Sequence, residues 1–180
     1  MKGFTRREPL FSLCGLKCGL CRMHLGGYCP GCGGGEGNQS CAIARCSLEH
    51  GGPEFCWDCP EYPCARYEGF DECDSFVPHS ARARDAAEAR SLGSEAYMAR
   101  MRESAALLEK LLGGYNDGRR KTLFSTAAYL LPPEDLRAVL ERLRAQAEGL
   151  ELKERAALAA RLLTEAAQAR GLSLKLVKKP

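Results

Sequence analysis

The chain has 180 residues, 45% of them hydrophobic, and a formal net charge of +3. That length suits one domain or two small ones, and the apolar fraction excludes a disordered chain as the default. No run approaches the roughly 18 apolar residues of a membrane span, and the apolar patch after the basic N-terminus is too short for a secretory signal and lacks its cleavage site. A cytoplasmic protein without a membrane partner is therefore expected. The net charge hides an asymmetry. Residues 1–79 hold 7 Lys+Arg against 10 Asp+Glu, and residues 80–180 hold the other 19 and 13. In the second half the charges alternate in sign, the pattern of solvated helix faces rather than of a nucleic-acid footprint.

In chain order, residues 1–13 are a short lead in which Phe4, Leu10, Phe11 and Leu13 are available to pack. All 11 cysteines follow between Cys14 and Cys73. This stretch is rich in Gly and Pro, and only Ser40–Glu49 reads as helical. From Ser80 the composition turns to Ala, Leu, Arg and Glu. A short helix is expected over 81–92, with Ser94 as the N-cap of the next. Tyr97, Met101, Ala105, Leu108 and Leu112 recur at helical spacing up to Gly113–Gly114, which should end that helix. Asp117 should cap a helix over about 119–131, apolar on more than one face. Pro133, Glu134 and Asp135 suit the first turn of another, running towards Gly149. A last Ala-rich helix spans about 152–170, and the alternation of Leu172, Leu174 and Leu176 suggests a short edge strand. The expected fold is a small, irregular, zinc-knuckle-like and metal-stabilised module over 1–79, followed by an all-α helical bundle over 80–180.

The cysteine spacing carries the chemistry. Cys18/Cys21, Cys29/Cys32 and Cys56/Cys59 are Cys-x-x-Cys pairs, whose spacer lets two thiolates reach one tetrahedral ion. Cys14, Cys41, Cys46 and Cys64 flank them, and these ten are the expected metal ligands. In a reducing compartment such density points to metal rather than disulfides, and an odd count fits disulfides poorly. Two four-ligand sites use eight thiolates. Three would need all 11 and a histidine, for which His50 is better placed than His24 or His79. Zinc, two or three ions, is the expected metal. An iron–sulfur cluster on the compact Cys14/Cys18/Cys21 run is the alternative, and would make the chain a redox protein or enzyme subunit. Trp57 could shield a site or simply pack; Tyr62, Tyr67 and Phe70 could form a surface or cover the metal. Arg119–Arg120–Lys121 at a helix start could meet an anion, although a solvated face is the plainer reading. No paired carboxylates, nucleophile–base pair or nucleotide loop stands out, so the expected role is binding: a protein partner or an anionic ligand met through the helical half.

The runs CGLKCGLC, CPGC, CAIARC and CWDCPEYPC, over roughly residues 10–75, resemble the Cys-rich prokaryotic family called domain of unknown function 3795. The resemblance implies metal binding and no established activity. Many relatives carry a further cysteine where this chain has Asn38, with Cys73 as its replacement or as a free thiol. Cys14-x3-Cys18-x2-Cys21 with Gly34–Gly35–Glu36 also resembles motifs of radical S-adenosylmethionine enzymes. The chain has no room for the partial α/β barrel on which those motifs work.

Overall fold

A computed structural model describes residues 2–35 and 41–179; Glu36, Asn38 and Ser40 of the sequence reading lie outside them. Among the described residues the only regular structure is helical: α1 (Arg22–Leu25), α2 (Ala42–Glu49), α3 (Arg82–Leu92), α4 (Ser94–Tyr115), α5 (Lys121–Leu130), α6 (Pro133–Gln146) and α7 (Leu152–Ala169), with three short 3-10 turns. None of these helices is long and apolar enough to cross a membrane. By packing the chain divides into one unit of residues 1–99 with 177–180 and another of residues 100–176. Composition changes at Ser80, whereas the packing boundary falls inside α4, because Ala86 and Ala89 of α3 and Tyr97 and Met98 of α4 are buried in the first unit.

The first unit has little periodic structure, so its core comes from scattered aromatic residues. Phe11 lies 4.9 Å from Tyr97 and 5.9 Å from Phe55 between ring centroids, and Phe55 stacks on Trp57 at 4.2 Å. Trp57 thus belongs to an aromatic cluster. The lead is bound in place by Arg6. Its Nη1 donates to the Phe11 carbonyl at 2.9 Å and its Nε to the Glu54 carbonyl at 3.0 Å, while the Glu54 carboxylate accepts from the Glu8 backbone N–H at 2.9 Å. A smaller apolar cluster of Phe4, Leu13, Ile43 and Ala44 packs against Cys14, Cys32 and Cys56.

The second unit follows from periodicity. α7 packs against both α5 and α6. Leu136, Val139 and Leu143 of α6 and Ala156, Ala159, Leu162 and Leu163 of α7 are buried. α5 is buried from Phe124 to Leu130, which fits its apolar residues on several faces. Pro133, Glu134 and Asp135 occupy the first turn of α6. Glu154 caps the start of α7 by accepting from the Glu151 N–H at 3.1 Å.

Four local expectations need correction. Gly113 and Gly114 do not end α4, which runs to Tyr115. A glycine costs a helix only about 1 kcal/mol, and Gly113 and Gly114 keep a negative φ; the left-handed turn comes later, at Gly118. Ser94 lies inside α4, because the Gly93 carbonyl accepts the first helical bond, from the Tyr97 N–H. Asp117 turns the chain before α5 rather than capping it: its Oδ1 accepts from the Arg119 N–H at 3.1 Å, and Arg120 stands at the cap position. Residues 172–176 form no strand. Alternation without a neighbouring strand has no ladder to join, and what fixes this end is Val177, whose N–H donates to Asp74 Oδ2 at 2.7 Å while its carbonyl accepts from the Asp74 N–H at 2.8 Å.

Leu162 is fully buried among the helices of the second unit. Leu162→Ala should lower stability by about 2–5 kcal/mol through lost burial and the cavity left behind. The check is the urea unfolding midpoint, and a shift below 1 kcal/mol would contradict this packing.

Candidate metal centre

The thiols gather because short turns present them. The 3-10 turns Cys18–Leu20 and Cys56–Asp58 are built alike. In each, the carbonyl of the first cysteine accepts from the N–H of the cysteine three residues on: Cys21 to Cys18 at 3.0 Å and Cys59 to Cys56 at 3.1 Å. Such a turn sets two side chains at its two ends, which is what a Cys-x-x-Cys pair needs. Cys29 and Cys32 are held differently. The Cys32 N–H donates to the Pro9 carbonyl at 2.8 Å, and Gly31 passes so close that a Cβ there would sit 2.5 Å from the Pro9 oxygen. Gly31 also has φ +94, a conformation that side chains disfavour.

Two thiol groups result. In the first, Cys18 lies within electrostatic range of Cys14, Cys21, Cys29 and Cys32, and Cys14 within range of Cys32 and Cys41. Burial pushes the Cys14 thiol up to about 12, against the Ser12 hydroxyl 3.1 Å away, which favours the thiolate. Burial likewise holds Cys18 well above the ordinary thiol range, with its cysteine neighbours adding to the rise. In the second group, Cys46, Cys56, Cys59 and Cys64 line one cavity beside His50 and Tyr67. Burial pushes Cys56 up to about 11; the Tyr67 hydroxyl opposes this, and Cys64, Cys46 and Cys59 reinforce it. Cys73 is not among the residues lining that cavity. No cysteine is in a disulfide.

Each histidine meets a backbone carbonyl. His24 Nδ1 meets the Cys29 carbonyl at 2.9 Å. His79 stacks on Phe70 and uses both ring nitrogens, on the Phe70 carbonyl and the Ser75 hydroxyl. His50 Nδ1 donates to the Cys46 carbonyl at 2.8 Å, and its Nε2 faces Glu61 at 3.3 Å.

Soft thiol donors in two such groups match zinc or an iron–sulfur cluster by chemistry. As the side chains stand, no three His, Cys, Asp or Glu groups among the described residues converge closely enough to cage an ion. Gathering is therefore present and closure is not. A cysteine has a single χ1 torsion, and moving between its rotamers carries the sulfur about 3 Å.

Sequence reasoning missed the cations that frame these thiols. Lys17, between Cys14 and Cys18, is largely buried, with its Nζ 3.2 Å from Asp85 Oδ2 on α3. Burial lowers the Lys17 ammonium and raises the Asp85 carboxyl, and each offsets the other's cost. Arg82 donates through Nε and Nη2 to the two Asp71 oxygens, at 2.8 and 2.7 Å. Its guanidinium lies over the Tyr67 ring, 4.2 Å from the centroid, and Tyr67 and Phe70 meet edge to face. Tyr67 and Phe70 thus pack rather than form a free surface. Neither cation was legible, since a charged residue inside a Cys-rich run carries no signal of burial. Arg120 at the start of α5 pairs with Asp117, so the basic run there meets its own carboxylate.

Compared with family models, curated proteins and solved structures, the chain matches none.

Arg82→Lys keeps the charge but loses the planar fork and the stacking. It should cost about 2 kcal/mol, on the scale of a charged hydrogen bond. Thermal unfolding checks this, and an unchanged midpoint would show that Arg82 does not hold the Tyr67 side in place.

Proposed function

We propose that the Cys-rich unit is a thiolate metal-binding module whose metal is zinc, and that the protein acts as a binding module. The observation that carries this reading is the grouping of the ten expected ligands. Cys14, Cys18, Cys21, Cys29, Cys32 and Cys41 fall into one group, and Cys46, Cys56, Cys59 and Cys64 into another. Thiolates are costly to hold in an apolar setting, and a cation bound between clustered cysteines would turn that cost into folding energy. The unit's sparse core makes such a contribution valuable. The resemblance to domain of unknown function 3795 belongs to the same proposal and rests on the cysteine spacing. A cytoplasmic location follows from it, since a reducing compartment keeps the thiols free.

An iron–sulfur cluster is the second reading, and the first group favours it. Cys18 lies within electrostatic range of four other cysteines, and the Cys14/Cys18/Cys21 run lies within that group. It would make the chain a redox protein or enzyme subunit. For the helical half the proposed partner is a protein or an anionic ligand. Nucleic acid ranks below both, because basic residues of the second unit are paired: Arg142 and Arg161 with Glu165, and Arg170 with Asp135.

Anaerobic purification followed by zinc, iron and sulfide analysis tests the metal reading. Two zincs per chain and a colourless protein are expected. Iron with matching sulfide would move the assignment to the second reading. A folded protein with free thiols and little metal would sink both.

A further inference from the structure

The second thiol group is fed by several short elements. Cys46 lies on α2, Cys56 opens a 3-10 turn, Cys59 follows that turn, and Cys64 precedes the next one, Ala65–Tyr67. The cavity they line measures about 30 Å³. That is room for a water-sized group, and so for a single ion among the four thiols. The surroundings supply sulfur-directed donors. The Tyr67 hydroxyl is buried with no nitrogen or oxygen partner and interacts with the Cys56 thiol, and the Arg66 guanidinium interacts with Cys46. His50 is held to the Cys46 carbonyl, with Nδ1 3.6 Å from the Cys46 sulfur.

We propose that Cys46, Cys56, Cys59 and Cys64 close on one zinc ion as a mononuclear four-thiolate centre, with Arg66 and Tyr67 as donors to its sulfurs and His50 as a positioning residue rather than a ligand. This rests on the metal-binding reading and deepens it by fixing which cysteines share an ion. In the binding step four zinc–sulfur bonds form, each thiol gives its proton to solvent, and no electron moves. The centre then carries a charge of −2, which an adjacent guanidinium and a phenolic O–H offset. Closure asks for rotation of thiols that already line the cavity.

The test uses the full-length protein, with zinc per chain measured after gel filtration. Cys46→Ser, Cys56→Ser, Cys59→Ser and Cys64→Ser should each lose one zinc, while Cys73→Ser keeps the wild-type content. Tyr67→Phe spares every sulfur and should yield one zinc to a competing chelator about 10- to 100-fold more readily, the usual effect of losing an outer partner of a metal ligand. If the serine variants do not fold, Tyr67→Phe and zinc-edge X-ray absorption of the wild type decide, the latter expected to show only sulfur neighbours at about 2.3 Å. Full zinc in any of the four serine variants, nitrogen or oxygen around the zinc, unaltered release from Tyr67→Phe, or loss of iron and sulfide from these variants would overturn the assignment. Wild-type protein that folds without any metal would instead remove the wider reading along with it.

Discussion

Buried cations hold the first unit together. Its Cys-rich backbone has almost no helix or strand to satisfy it, so pieces far apart in sequence must be tied by side chains. Arg6 clamps the lead to the segment around Glu54, Lys17 ties the first thiol run to Asp85 on α3, and Arg82 ties α3 to the turn holding Asp71. Each cation is largely buried yet answered by a carboxylate or a carbonyl, the condition under which burying a charge is tolerable. Remove one partner and the other is stranded in a low-dielectric setting.

This arrangement also sets where the thiols stand. Ser12 reaches Cys14, and the Cys56 N–H donates to the Leu13 carbonyl at 2.9 Å, so the two thiol groups hang from neighbouring residues of one strand of chain. Arg82 seats Tyr67, and Tyr67 meets Cys56. The framework is thus formed by residues outside the expected ligand set, and the thiols are gathered at its edges.

Much of the second unit was legible in the sequence, because α5, α6 and α7 repeat apolar residues at the helical period, and α6 and α7 carry proline or acidic residues in their first turns. Boundaries were harder where one residue type serves two roles. Gly113 and Gly114 look like a stop but keep helical dihedrals, and Asp117 looks like a cap but folds a turn before the helix. Leu172, Leu174 and Leu176 alternate as a strand does, yet pairing is a property of two segments and cannot be read from one. In the first unit the local presentation of Cys18/Cys21 and Cys56/Cys59 follows from their spacing. The division into two groups does not, since it depends on which turns meet in space.

Gly31 carries one more consequence. Its lack of a side chain lets the Cys29–Cys32 turn lie against Pro9, and every other amino acid would bring a carbon into the Pro9 oxygen. The segment therefore sits on an evolutionary island: no substitution of that glycine is open unless the lead drifts in concert with it. An invariant glycine between two cysteines is readily taken as a mark of ligation. Here it would record crowding between two stretches of backbone, and it would persist in a descendant that had lost its metal altogether.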